Sequence, residues 1–318
     1  MKVIRNPEEF PHDYRGCIAT IGNFDGIHLG HQGIFRKLIK EAHDQNRQAV
    51  VITFDPHPKK VLHPDRRPFI LLTPVDEKLK LMEECGIDAV VLITFTPEFA
   101  RTSADEFVRH ILWENLRIKK LFVGYDYGFG KGKEGNAEFL RARGGELGFD
   151  VEEITAITLG DIIVSSTKIR LSILDGDVKL ARTLLGRPYN VYGTVVRGHK
   201  RGTGMGIPTA NIQSEKVIPG CGVYAVFAKV EEEMHQGVIN LGFNPTFGNG
   251  SLSVEVHLFD FKGDIYDRNI EIFFIERLRS EMKFENTEKL VEQIRKDIAR
   301  ARDILKADTM PDATGHRC

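Results

Sequence analysis

Two rhythms of apolar residues divide this chain. As far as about residue 186, short apolar runs at 17–21, 49–54, 89–95, 120–123 and 151–154 alternate with longer stretches at 32–44, 76–85, 104–116 and 136–147. In the longer stretches apolar residues recur every three or four positions. The runs predict buried strands and the periodic stretches predict amphipathic helices. Their alternation at this spacing predicts βαβ units around a parallel sheet. Two further helical stretches, 166–175 and 178–185, close this half. From residue 189 the rhythm changes to strand-like segments at 189–197, 222–230, 236–241, 252–261 and 269–274, with turn residues between them. Strands in succession without long helices predict an antiparallel sheet or small barrel. A charged helix at 287–306 follows, with Leu290, Ile294, Ile298 and Leu305 as its apolar stripe. Residues 307–318 are polar, contain Pro and Gly, and have nothing to bury, which predicts a disordered tail. The expected fold is α/β: a parallel-sheet domain over 1–186, then an antiparallel β-barrel domain with a terminal helix over 187–306.

Ligands of parallel sheets bind beyond the carboxyl ends of the strands, and one passage there is unusually rich. Gly22-Asn23-Phe24-Asp25-Gly26-Ile27-His28-Leu29-Gly30-His31 runs from the first strong strand into the first helix. Its glycines let backbone approach a ligand closely. A helix start offers unpaired N–H groups and a positive dipole end to phosphate. His28 and His31, spaced i, i+3, face the same way and can both donate to one phosphoryl group. Taken singly, either histidine reads as a surface or capping residue. The pair in a glycine-punctuated strand-to-helix turn reads as a nucleotide site. A second polar cluster, Ser165-Ser166-Thr167-Lys168-Ile169-Arg170, precedes another helical pattern. One of its serines reads as an N-cap, and the hydroxyls with Lys168 and Arg170 make an anion site. Two phosphate-seeking helix starts suggest attack at the α-phosphate of a nucleoside triphosphate, one clamp on the reacting phosphate and one on the departing pyrophosphate.

Other glycine-rich stretches fail their motifs. Five residues separate Gly124 from Gly130, and Gly132 stands where a Walker A loop has Ser or Thr. Gly202-Thr203-Gly204-Met205-Gly206 is followed by Pro208 in a β-rich region, with no helix to take a pyrophosphate. Composition narrows the picture without redirecting it. The 318 residues leave room for about two domains. Lys+Arg 44 against Asp+Glu 45 gives a formal net charge of -1, which argues against a nucleic-acid partner. No apolar stretch approaches the ~20 residues that span a bilayer, and Met1 to Glu9 lack the apolar core of a signal peptide, so no membrane partner is expected. Cys17, Cys85, Cys221 and Cys318 stand far apart with no Cys-x-x-Cys pair. Neither a disulfide framework nor a zinc site is indicated, and a reducing cytoplasm fits.

Four passages of the first half resemble, in order, the motifs of the FMN adenylyltransferase module: the turn at 22–31, Thr53-Phe54-Asp55-Pro56-His57-Pro58, Gly124-Tyr125-Asp126-Tyr127-Gly128-Phe129-Gly130, and the cluster at 165–170. In the second half, four more resemble riboflavin kinase: Gly206-Ile207-Pro208-Thr209-Ala210-Asn211, Gly222-Val223-Tyr224, Asn240-Leu241-Gly242-Phe243-Asn244-Pro245-Thr246-Phe247, and Val254-Glu255-Val256-His257. The chain thus resembles the bifunctional bacterial riboflavin kinase/FAD synthetase family over all but 307–318. The His-x-Gly-His turn alone is shared with a broad nucleotidyltransferase superfamily, but the combination in this order is specific. The resemblance implies a Rossmann-like nucleotidyltransferase domain and a kinase barrel. It implies ATP-dependent phosphorylation of riboflavin to FMN, then adenylylation of FMN by ATP to FAD with release of pyrophosphate. Riboflavin, FMN and ATP are the expected substrates, Mg2+ the expected metal, and flavin-dependent apoproteins the recipients.

For adenylyl transfer the nucleophile is a phosphate oxygen that is already ionised, so no general base is needed and catalysis rests on positioning and charge neutralisation. The resemblance puts His28 and His31 at the α-phosphate and Ser166, Thr167 and Arg170 on the β,γ side. Gly22, Asn23, Phe24 and Gly30 fall in the ATP-binding turn. Phe54, His57 and Pro58 suit the face of a planar flavin, although the same loop also reads as a plain turn after a strand. For Asp126, the ribose, the adenine and Mg2+ are alternatives among which the sequence does not choose. In the kinase half, riboflavin's neutral 5′-hydroxyl benefits from a nearby carboxylate. Period-2 alternation puts Ser253, Glu255 and His257 on one strand face. A solvent-facing glutamate is the plain reading there, and the resemblance makes Glu255 the base. Thr209 and Asn211, i, i+2 after Pro208, can both point oxygens at one Mg2+, while Gly202, Gly204 and Gly206 form a flap over the triphosphate. Arg279, near Lys283 and Phe284, resembles the family's flavin-side arginine, with a solvated helix-start charge as the alternative. The family commonly has Arg where Thr203 stands, and Leu-Gly-Phe at Met205-Gly206-Ile207. Loss of that guanidinium leaves open a monofunctional FAD synthetase with a flavin-binding but weak or inactive kinase half.

Overall fold

The computed structural model describes residues 1–64, 69–196, 210–243, 252–261, 263 and 265–308. They fall into two compact units, Met1–Phe69 with Thr73–Val164, and Ile70–Leu72 with the chain from Ser165 onward. In the first unit β1 (Lys2–Ile4), β2 (Ile18–Ile21), β3 (Ala49–Asp55), β4 (Ala89–Thr94), β5 (Lys120–Gly124) and β6 (Asp150–Ile154) form one parallel sheet in the order β1-β4-β3-β2-β5-β6. Ile18 of β2 stands beside Ala49 of β3 on one side and Lys120 of β5 on the other. The order reverses there, with β3 and β4 to one side and β5 and β6 to the other. Such a reversal makes a crevice beyond the carboxyl ends of the two central strands.

Helices α1 (Leu29–Asp44), α3 (Val75–Glu84), α4 and α5 (Ala137–Leu147) pack on this sheet, while the short α2 (Pro58–Leu62) follows β3 and buries no residue. α4 starts as an α-helix at Ala104–Glu106, with a capping box between Ser103 and Glu106, and continues as a π-helix over Phe107–Asn115. One core unites Phe35 and Leu38 of α1 with Leu81 and Met82 of α3 against Ile18, Val51 and Val90. The other unites Phe107, Val108 and Leu112 with Leu140 of α5 against Ala19, Val50 and Val91. Burial of both faces is why the central strands read as unbroken apolar runs. A short hairpin, β7 (Thr158–Leu159) with β8 (Ile162–Ile163), ends the unit.

The second unit opens with α6 (Ser166–Leu174) and α7 (Val178–Leu185). β9 (Tyr189–Val196), β10 (Ala210–Gln213), β11 (Gly222–Val230), β12 (Glu233–Phe243), β13 (Leu252–Leu258) and β14 (Asn269–Arg279) then form a closed antiparallel barrel in the order β10-β13-β12-β11-β14-β9. The pairing of β9 with β10 closes it. α8 (Thr287–Ala307) lays Ala301 and Leu305 on Val223, Ala225 and Phe227 of β11. Alternation along β11 turns the intervening residues to the other face. Of the expected stripe on α8, Leu305 is buried and Leu290, Ile294 and Ile298 are half-buried. α7 buries Val178, Ala181, Leu184 and Leu185 and packs on β9 and β14. Asp308, the cap that ends α8, takes two hydrogen bonds from the Arg182 guanidinium, at 2.5 and 2.9 Å.

Among the described residues no helix is long and apolar enough to cross a membrane. Cys17 and Cys221 are free thiols, but Cys85 is held in a disulfide, a correction to the reading that no disulfide was indicated. Spacing along the chain does not report which thiols meet in space.

Candidate nucleotide and flavin sites

β2 hands the chain to the turn at 22–31 at the point where the strand order reverses. Phe24 and Ile27 adopt φ of 49° and 39°, and Gly26 of 95°. Left-handed backbone costs a bulky residue on the order of 1–3 kcal/mol, and burial of both side chains in the α1 core holds it in place. A Cβ on Gly22 would lie 3.0–3.3 Å from the Phe24 ring. His28 is the N-cap of α1, its Nδ1 accepting from the His31 backbone N–H at 3.3 Å. A neutral imidazole that accepts at Nδ1 carries its proton on Nε2. The His28 and His31 rings stack with centroids 3.6 Å apart and an interplanar angle of 20°, and the Phe24 ring stands edge-on to His31 at 5.1 Å. Gly30 permits this stack, because a Cβ there would come within 3.0 Å of the His28 ring. The capping reading and the paired-donor reading are thus compatible: one nitrogen of His28 caps the helix while the other is a donor.

Three residues that the motif reading passed over hold the turn. The buried Asp25 carboxylate accepts from the backbone N–H of Thr73 at 3.1 Å, and the Thr73 hydroxyl accepts from Gly26 N–H at 2.8 Å. Lys78 on α3 donates to the carbonyl of Asn23 at 3.4 Å, to Thr53 Oγ1 at 3.2 Å and to the carbonyl of Phe54 at 3.3 Å. Burial pushes its ammonium down from 10.5 to about 8, against the pull of Asp25 and Asp55. Lys78 carries a sequence signal, a lysine at the buried position three and four residues before Leu81 and Met82. Asp25 and Thr73, 48 positions apart, carry none.

At the end of β3, Phe54 stands edge-on to Phe95 at 5.7 Å. His57 is the N-cap of α2, its Nδ1 accepting from Lys59 N–H at 3.1 Å, and its ring faces Phe69 at 4.6 Å. Pro58 is the first residue of α2. Asp126 is exposed in the turn after β5. Through Lys78 the structure joins Asn23 of the nucleotide turn to Phe54 of this loop.

In the second unit Ser165 is the N-cap of α6, accepting from Lys168 N–H at 3.3 Å, with Ser166 and Thr167 in the first turn. Arg170 donates through Nε to the carbonyl of Ile70 at 3.2 Å and through Nη1 to that of Ser166 at 3.5 Å. On the barrel, Asn211 of β10 and Glu255 of β13 are cross-strand partners. Ser253 donates to Glu255 Oε1 at 2.8 Å and approaches Asn211 Oδ1 at 3.4 Å. These are hard oxygen donors, the kind Mg2+ takes alongside phosphate oxygens. Among the described residues no three His, Cys, Asp or Glu converge on a metal site. Arg279 pairs with the buried Asp297 of α8, Nε to Oδ2 at 2.9 Å, and lies over the Phe284 ring at 5.7 Å. Gly202, Gly204, Gly206 and Thr209 lie outside the described residues, as does the stretch at 244–247.

Comparison with known proteins matches this two-part arrangement. The FAD synthetase family model matches residues 10–168, and the riboflavin kinase model matches residues 185–305. A bifunctional riboflavin kinase/FMN adenylyltransferase of Pseudomonas fluorescens is 38% identical over 304 residues, 95% of this chain and 97% of its own. The protein of the same name from Escherichia coli (strain K12) is 37% identical over 310 residues, 96% of this chain and 98% of its own. A crystal structure from Streptococcus pneumoniae, named as a macrolide-efflux protein, superposes with a TM-score of 0.85 at 31% identity, covering 95% of this chain and 98% of that one. With both modules matched in order and relatives aligned over nearly their full length, the chain belongs to the bifunctional riboflavin kinase/FMN adenylyltransferase family.

Proposed function

We propose that this protein converts riboflavin to FAD in two ATP-consuming steps, the barrel phosphorylating riboflavin to FMN and the parallel-sheet unit adenylylating FMN. The observation that carries the reading is the stacked His28–His31 pair at the start of α1, beyond the carboxyl end of β2. An FMN phosphate oxygen attacks the α-phosphorus of ATP, and the bond to the pyrophosphate oxygen breaks. His28 Nε2–H, the His31 ring and the first-turn N–H groups of α1 take up the charge that develops there. Gly22, Asn23, Phe24 and Gly30 shape the ATP-binding turn, and Asp126 is assigned to the same nucleotide. Phe54, His57 and Pro58 face the flavin. Ser166, Thr167 and Arg170 are assigned to the departing phosphates.

In the barrel, Glu255 accepts the proton of the riboflavin 5′-hydroxyl as that oxygen bonds the γ-phosphorus and ADP leaves. Ser253 orients the carboxylate through its 2.8 Å hydrogen bond. Thr209 and Asn211 would hold Mg2+, which when bound neutralises charge on the ATP phosphates. Gly202, Gly204 and Gly206 would close over them, and Arg279 is assigned to the flavin side. The proposed compartment is the cytoplasm, with flavin-dependent apoproteins as recipients of FAD.

Incubation with riboflavin, ATP and Mg2+, followed by chromatography of the flavins, tests both halves together. FMN followed by FAD is expected. FAD formed only from added FMN would remove the kinase half, and the absence of both products would remove the whole reading. His31→Ala is expected to lower FAD formation by about 10²–10³, the usual cost of one transition-state donor, with FMN formation retained. Glu255→Gln is expected to lose FMN formation while still converting supplied FMN to FAD.

A further inference from the structure

Lys78 sits among apolar neighbours on the buried face of α3 and is only 6% exposed, yet it ends in an ammonium group. Burying a cation is costly unless it is hydrogen-bonded, and a methionine or leucine would fill the same space without that cost. The three acceptors of the ammonium lie on two different segments, a turn and the end of a strand. The Asn23 carbonyl opens the nucleotide turn after β2, whereas Thr53 Oγ1 and the Phe54 carbonyl lie where β3 runs into the flavin loop. Thr53 Oγ1 also donates to the Asn23 carbonyl, at 3.4 Å. Backbone carbonyls carry no sequence preference of their own, so a fixed point charge with three donors is a general way to hold two of them at one distance. These hydrogen bonds of Lys78 go to two backbone carbonyls and the Thr53 hydroxyl, not to the side chains assigned to substrate. Lys78 reaches the backbone that carries them.

We propose that Lys78 is a positioning residue for adenylyl transfer, pinning the nucleotide turn to the flavin loop so that the FMN phosphate lies in line with the α-phosphorus of ATP. The proposal rests on the adenylyltransferase reading above. Attack on phosphorus requires the reacting atoms to be close and aligned, and a displacement of about 1 Å costs on the order of 10²-fold in rate. Loosening this pin therefore acts on turnover more than on substrate affinity, and it acts on one of the two activities.

Three full-length variants test it at pH 7: Lys78→Met, which keeps length and apolar fill but removes the donors; Lys78→Arg, which keeps charge and donors; and Thr53→Val, which removes one acceptor. FAD synthesis from FMN and FMN synthesis from riboflavin are measured on the same preparations, with melting temperatures. Lys78→Met is expected to lose about 10- to 100-fold in kcat for FAD synthesis, with KM for ATP and FMN changed less than about threefold and FMN synthesis unchanged. Lys78→Arg is expected to recover most of that loss, and Thr53→Val to lose about two- to tenfold in kcat. Wild-type kcat in Lys78→Met, a loss confined to KM, a parallel fall in FMN synthesis, or an Arg variant no better than the Met variant would each overturn the proposal. If Lys78→Met does not fold, Thr53→Val decides, and unchanged FAD turnover there overturns it. Absence of FAD from the wild-type reaction would instead sink the adenylyltransferase reading, and this proposal with it.

Discussion

His28 uses its two ring nitrogens for two purposes, and substitution can separate them. Asparagine at an N-cap accepts from the helix start as well as any residue, whereas alanine there costs about 1 kcal/mol. His28→Asn is therefore expected to melt close to the wild type and His28→Ala measurably lower, while both lose FAD synthesis by about 10²–10³ for want of the Nε2–H donor. Equal FAD synthesis in His28→Asn and the wild type would leave His28 as a cap alone. Lys78 makes a prediction about stability and pH. Its ionisation falls from 10.5 to about 8 on folding because burial outweighs Asp25 and Asp55, the charged groups that face it. Between those values the unfolded chain binds more protons than the native one, so stability rises with pH through this window. The penalty for burying the charge is fully present below pH 8 and relieved towards pH 10.5. Relative to Lys78→Met, wild-type unfolding free energy should thus rise by up to about 3 kcal/mol across that window, as denaturant melts at successive pH values can read. A difference independent of pH would show that Lys78 is not buried as a cation. The histidine pair was legible because i, i+3 spacing is a local property of a helix. Lys78 was legible only as an anomaly, a charge on an apolar stripe. The Asp25–Thr73 clasp was not legible at all, since nothing local reports a contact across 48 positions.

Elements were read best where burial is two-sided or amphipathic. The strands from β2 to β6 lie within a residue of the apolar runs, and α7 coincides with its pattern. β1 and β10 escaped, at three and four residues too short to show a period, and each is held by its neighbour, β4 for one and β9 with β13 for the other. β14 runs to Arg279, beyond the expected end at 274, because Glu276, Arg277 and Arg279 break the apolar pattern while the pairing with β11 continues. Arg279 is the clearest case of an element deciding what a side chain does. It reaches from β14 to Asp297, whose other oxygen accepts from Gln293 at 2.9 Å. The side chains are 17% and 8% exposed. Removing one partner of such a pair strands the other charge, so Asp297→Ala is expected to destabilise the barrel by about 3 kcal/mol. It should also raise KM for riboflavin while leaving FAD synthesis from FMN unchanged. An unaltered melt would mean that the pair is solvated and that α8 is held by its apolar contacts and its other polar links, not by this one.

At the scale of the whole molecule, the unassigned stretch between the two modules is the informative one. The FAD synthetase match ends at residue 168 and the riboflavin kinase match begins at 185, so all of α7 but Leu185 and most of α6 belong to neither. Period and composition placed both helices at the end of the first half, because helices belong to the βα rhythm and barrels have none of length. Packing overrides rhythm here. α7 buries four apolar side chains and packs on β9 and β14 as well as on α6, and Arg182 on the same helix grips Asp308 at the end of α8. Burying a side chain such as Val or Leu is worth about 1.5–3 kcal/mol, so losing α7 removes on the order of 5 kcal/mol. A domain has only about 5–15 kcal/mol in total. Two fragments should therefore behave differently. One spanning 165–308 is expected to melt cooperatively and phosphorylate riboflavin. One spanning 187–308 is expected to melt lower by on the order of 10 °C, or to bind a hydrophobic dye as a loosely packed state. Indistinguishable melts would show that the barrel completes its own core and that α7 merely rests on it.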